Sequence, residues 1–158
     1  MGNGNEKAKL TVLVSDITNT NGTYSATYTA QTSPPPTQGN GSQMPTVSVI
    51  DNVATVSLFT DTNITFKLDD DGWTFPSSGT VVKVTLGDSD SWTDDTANQP
   101  DQTAGFNVGA VSSDSQELEL EDEDIDGNAN PGKSHQFCLQ GVNGGATHSL
   151  DPNFWNRR

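Results

Sequence analysis

One cysteine, two histidines and two methionines among 158 residues leave little material for disulfides, soft-metal centres or imidazole chemistry. With Cys138 alone no intramolecular disulfide can form, so stability must come from packing or from a bound ion, and no oxidising compartment is required. Long apolar runs are missing too. The stretch Leu10 to Val14 is too short and too interrupted for a secretory leader or a membrane span, so the expectation is a cytoplasmic chain. Basic side chains are scarce, with seven Lys and Arg against twenty-one Asp and Glu and a net charge of -14. Since phosphate neutralisation by Lys and Arg supplies most nucleic-acid affinity, this field excludes DNA, RNA and anionic membranes as expected partners. Cations, basic proteins and further copies of the chain remain.

Catalytic signatures are equally thin. The chain carries no phosphate-cradling glycine loop with Lys, no nucleophile elbow and no His-Glu-x-x-His. His135, Cys138 and His148 bring a copper or thiol centre to mind, but a copper site usually wants an axial Met, and the methionines are Met1 and Met44. No orienting group or oxyanion motif accompanies the thiol. Glycosidase work needs paired carboxylates in an aromatic-walled cleft, and Trp73, Trp92 and Trp155 are spread along the chain. The expectation is a protein that is not an enzyme.

What is present is a period of two. Leu10 to Ile17 and Thr23 to Ala30 read as strands, the second with Tyr24, Ala26, Tyr28 and Ala30 on one face. Thr46 to Phe59 reads as two short strands around Asp51-Asn52. Ile64, Phe66 and Leu68 alternate before Asp69-Asp70-Asp71-Gly72 turns the chain. Thr80 to Leu86, Phe106 to Val111, Gln116 to Leu120, Ser134 to Val142 and Thr147 to Leu150 complete the set. No window shows a helical stripe. The composition and turn spacing predict a single all-β domain over residues 1–158, an immunoglobulin-like antiparallel β-sandwich of about seven to nine strands with long acidic loops. Residues 32–45, with three consecutive prolines and Pro45, read as a flexible excursion, and 87–105 as a long acidic loop.

Two local features depart from this background. Asp114 to Asp126 holds eight carboxylates in thirteen residues, seventeen of the acids fall between 61 and 126, and Asp122, Asp124 and Asp126 with Gly127 match the first half of an oxygen-ligand calcium loop. The twelfth loop position is Lys133, where a helical calcium loop needs a bidentate Glu, so a sheet-borne site would recruit Asn128 or other loop oxygens. Two readings stand: a calcium site formed by Asp122, Asp124, Asp126 and Asn128, and the commoner solvated acidic turn. The second feature is the tail at 151–158, where Phe154 and Trp155 adjoin Arg157 and Arg158, the only arginines. These four residues either cap the domain's own core or reach a neighbouring subunit.

Gly72-Trp73-Thr74-Phe75-Pro76, with the closing Leu150-Asp151-Pro152 and Asn156, resembles a group of small bacterial proteins of unknown function. Those share a GWTFP-like midway turn and end in a short strand, a DP pair and an Asn. The likeness covers roughly residues 46–158 and implies a sandwich without an activity; the acidic insertions at 87–104 and 114–132 depart from it. Three roles follow as expectations. The first is a self-associating structural or interaction module, a homo-oligomer or the binder of a basic protein. A calcium-binding module and a virion surface or decoration protein are the alternatives.

Overall fold

The computed structural model describes residues 7–32, 35–39, 44–50, 53–57, 62–86, 93–97, 99–103, 106–122, 135–151 and 154–157, and the protein is all-β over them. Thirteen strands form one hydrogen-bonded sheet. They are β1 (Ala8–Thr20), β2 (Thr23–Ala30), β3 (Thr46–Ile50), β4 (Val53–Ser57), β5 (Thr62–Leu68), β6 (Thr80–Leu86), β7 (Thr93–Thr96), β8 (Gln99–Thr103), β9 (Phe106–Val111), β10 (Glu117–Asp122), β11 (His135–Asn143), β12 (Ala146–Asp151) and β13 (Phe154–Arg157).

The path runs β3-β4-β13-β11-β12-β2-β1-β5-β10-β9-β8, with β6 and β7 branching from β11. β11 joins the two halves because it is long enough to change partners. His135 to Leu139 ladders with β6, His135 to Phe137 also ladders with β13, and Gln140 to Asn143 turns to β12. β7, which ends the branch, and β8, which ends the path, are consecutive in sequence and lie side by side. The sheet therefore curves into a nearly closed barrel rather than two separate layers.

This corrects the expected antiparallel immunoglobulin-like sandwich. Three pairings are parallel: β1 with β5, β12 with β2 and β13 with β4. Parallel neighbours need a crossover of a dozen or more residues, usually a helix. Here the chain makes the crossovers through other strands of the barrel, so no helical signal announces them. The described residues hold thirteen strands against the expected seven to nine; β7 and β8 occupy the presumed acidic loop and β13 the presumed tail. Pro100 sits in β8, a strand at the end of the path, where a missing backbone donor is tolerated. Nor is the 32–45 excursion untethered. Thr37 exchanges two backbone hydrogen bonds with Lys9, at 2.9 and 3.1 Å, and Pro45 is buried.

The core is built by alternation. Leu10, Val12 and Val14 from β1 meet Ile64, Phe66 and Leu68 from β5, and Leu118 and Leu120 from β10, all essentially inaccessible to water. Each such side chain contributes roughly 1.5–3 kcal/mol relative to exposure. A one-residue slip in register would turn all of them outward, so burial itself fixes the pairing.

The Gly72-Trp73-Thr74-Phe75 turn ties the barrel together. Gly72 has φ +84°, a conformation that a side chain at this position would strain. Its carbonyl accepts a hydrogen bond from Asn143 Nδ2 at 3.0 Å, Thr74 bonds twice to Val142, and the Phe75 amide donates to the Ser115 carbonyl at 2.7 Å. Gln116 Nε2 donates to the Trp73 carbonyl at 2.9 Å. One turn thereby links the β11–β12 hairpin to the β9–β10 connection.

Candidate functional site

The alternation that sends apolar residues of β1, β5 and β10 inward sends an ordered set of polar residues outward. The registers place Lys9 beside Asn63 and Asn63 beside Glu121, then Thr11 beside Thr65 and Thr65 beside Glu119, then Leu13 beside Lys67 and Lys67 beside Glu117. Lys7 pairs with Glu121 at 2.6 Å. On a chain with net charge -14 this face is balanced, with Lys7, Lys9 and Lys67 against Glu117, Glu119 and Glu121.

A groove of about 550 Å³ opens on this face, and Thr11, Thr65, Lys67, Ser112, Glu117 and Glu119 line it together with Gln31 and Ala110. A bulge in β9 shapes one wall, since Val111 pairs with Leu118 and Val108 with Leu120, leaving both Gly109 and Ala110 opposite Glu119. A Cβ at residue 109 would lie 3.1 Å from the Glu119 carbonyl oxygen, so the close approach of the two strands depends on glycine. Ser112 closes the turn behind the groove. Its hydroxyl donates to Asp114 Oδ1 at 2.6 Å and accepts from the Glu117 amide at 3.0 Å. The Ser112 hydroxyl, with the Gln116 amide next, holds the Asp114 carboxyl below the usual aspartate range, and Lys67 adds a smaller pull in the same direction.

A second feature lies at the start of the sheet path. β3 ladders onto β4 on one side, and no ladder joins its other edge among the described residues. Residues 44–57 carry Asp51 and no basic residue. Met44, just before β3, is the one large hydrophobic side chain among the described residues that stands well exposed.

Of the residues expected to hold calcium, Asp122 ends β10, paired with Thr62 and Phe106, whereas Asp124, Asp126 and Asn128 lie outside the described residues. Among the described residues no three His, Cys, Asp or Glu side chains converge as a metal site. Phe154, Trp155 and Arg157 belong to β13, whose backbone is inserted between β4 and β11; Arg158 lies outside the described residues. The segment read as a tail is an internal strand of the sheet.

The His-Cys trio is dispersed. His135 and Cys138 both belong to β11, three positions apart, while His148 belongs to β12. Cys138 is buried, its thiol directed at the Leu150 carbonyl at 3.5 Å. Gln140 Nε2 donates to the Cys138 carbonyl at 3.4 Å, and Ser149 Oγ donates to Gln140 Oε1 at 3.1 Å. His148 stacks on Tyr24 with centroids 4.0 Å apart and meets Trp73 edge-on at 5.9 Å. Cys138 thus takes part in buried hydrogen bonding and His148 in aromatic packing.

Sequence reading missed two features. Asp95, on β7 opposite Val82, is fully buried in a segment taken for a solvated loop. The charged groove was also missed, although the alternate spacing of Lys7, Lys9 and Thr11 and of Glu117, Glu119 and Glu121 was visible. The missing signal was that β1 and β10 flank the same strand. No helix among the described residues is long and apolar enough to cross a membrane, which says nothing of spanning strands. No family model matches the chain, and no curated protein does.

Proposed function

We propose that this chain is a non-catalytic, self-associating interaction module in which the free edge of β3 forms part of the contact between copies. The observation that carries this reading is the one-sided pairing of β3 in a segment with no lysine to guard it. Proteins normally blunt an outer strand with charge, proline or a cover, because unpaired backbone groups are a template for another strand. The neighbouring exposed Met44 and the low charge of residues 44–57 let two strongly acidic copies approach here with little repulsion from this segment itself. The buried, main-chain-directed thiol of Cys138 and the stacked ring of His148 support a role without bond-making chemistry.

Light scattering over a concentration series tests the reading. The mass is expected to rise above that of one chain, and Ser48→Lys, at an exposed edge position, is expected to hold it at one chain while leaving the circular-dichroism spectrum unchanged. A wild-type chain that stays monomeric into the millimolar range would sink it.

A further inference from the structure

We infer that the groove on the outer face of β1, β5, β10 and β9 binds a small zwitterion of amino-acid size, its ammonium toward Glu117 and Glu119 and its carboxylate toward Lys67. This inference is independent of how copies associate, because the groove and β3 are formed by different strands.

The argument begins with uncommitted charge. Lys67 stands directly opposite Glu117, yet among the described residues neither forms an ion pair, and Glu119 forms none either. The Lys7–Glu121 contact farther along the same face shows that close pairing is available to this sheet. The groove therefore presents both signs without an ion pair between them, with hydroxyl-bearing Thr11 and Thr65 in the same lining.

Each simpler ligand fits worse. An isolated anion would gain Lys67 but face two glutamates and the field of a -14 chain. An isolated cation would gain the glutamates but be opposed by Lys67. A zwitterion with its charges a few ångströms apart satisfies both, and hydroxyls and the Gln31 amide can meet its remaining polar atoms. Among the described residues no aromatic ring lines the groove, so nothing in them favours a ring-stacking ligand, and about 550 Å³ accommodates an amino acid or dipeptide with water. The bulge places Gly109, which has no side chain, and Ala110 opposite Glu119, and that glutamate is exposed.

Amide chemical-shift mapping on the full chain tests the inference, with diglycine as the probe and acetate, methylammonium and N-acetylglycinamide at matched ionic strength as comparisons. Diglycine is expected to give saturable shifts on β1, β5, β9 and β10, while the singly charged and neutral probes give none that saturate. Lys67→Met and Glu119→Gln are each expected to weaken diglycine binding about fivefold, the scale of one partly exposed charge contact. Lys83→Met, on β6 outside the groove, is expected to leave it unchanged. Absence of saturable diglycine shifts, equal response to acetate or methylammonium, or affinity unmoved in both groove variants would overturn the inference. Both substituted side chains are exposed, so an unchanged spectrum of the core amides separates lost binding from lost fold.

Discussion

Trp73 lies flat enough on Gly141 that a Cβ at residue 141 would sit 2.9 Å from ring carbon Cε3 and 3.1 Å from Cζ3. The indole is 6% exposed and meets Tyr24 edge-on at 5.5 Å, so it has little room to retreat. Gly141→Ala is therefore expected to destabilise the fold by about 1–3 kcal/mol, the usual cost of overpacking, read as a lower urea midpoint at constant slope. Trp73→Ala should cost about 3–5 kcal/mol through the cavity it leaves.

The β1 bulge makes a separate prediction. Asp16 adopts φ +50° where the β1–β2 register shifts between Ser15 and Thr18, and the Ile17 amide donates to Asp70 Oδ2 at 2.8 Å. Asp70→Ala removes the acceptor from that amide and is expected to lower stability by about 1–2 kcal/mol. Hydrogen exchange should show the loss first at Ile17. Asp16→Gly relieves the left-handed strain and is expected to be neutral or mildly stabilising in the same melt.

Acid stability should report on Asp114. Its folded carboxyl is held low chiefly by the Ser112 hydroxyl, so its contribution is fully present above the ordinary aspartate value and fades as pH falls through the lowered folded value. Ser112→Ala is expected to bring the Asp114 titration, followed by carboxyl-carbon NMR, back toward the ordinary range. It should also flatten that part of the acid-stability curve. Because the group is fully exposed, the effect belongs to the titration curve more than to the melting temperature at neutral pH.

Calcium provides the last check. If the acidic turn after β10 is only solvated, millimolar calcium leaves the melting temperature where it was, beyond the small general screening that sodium at equal ionic strength also gives. A calcium-specific rise, abolished by Asp124→Asn and Asp126→Asn together, would assign the alternative role, because an ion held by the native state alone must stabilise it.

The strands that the chain announces are those whose alternation carries apolar residues. Thr23–Ala30, Thr80–Leu86 and Phe106–Val111 have the expected bounds, and β1, β5, β10, β11 and β12 differ only at their ends. β7 (Thr93–Thr96) and β8 (Gln99–Thr103) were illegible for a physical reason: their residues read as solvated loop, and tertiary pairing with β6 and β9 overrides composition. Parallel pairing was hidden similarly. Nothing local in Lys9 or Asn63 says that they will be neighbours, and the charged groove exists only once they are. The aromatic stack of Tyr24, Trp73 and His148 was hidden as well, because it depends on three distant segments meeting.

β13 closes a seam that the rest of the chain leaves open, laying Phe154 beside Ala54 and Phe137 at once. A ribosome must therefore pass from Ser57 to Phe154 before β4 acquires this neighbour, and the earlier strands wait with an unfilled slot. Such distant zippering is entropically slow, so a lag in acquiring protease resistance should track the arrival of Phe154 to Arg157 rather than the collapse of the β1–β5–β10 core.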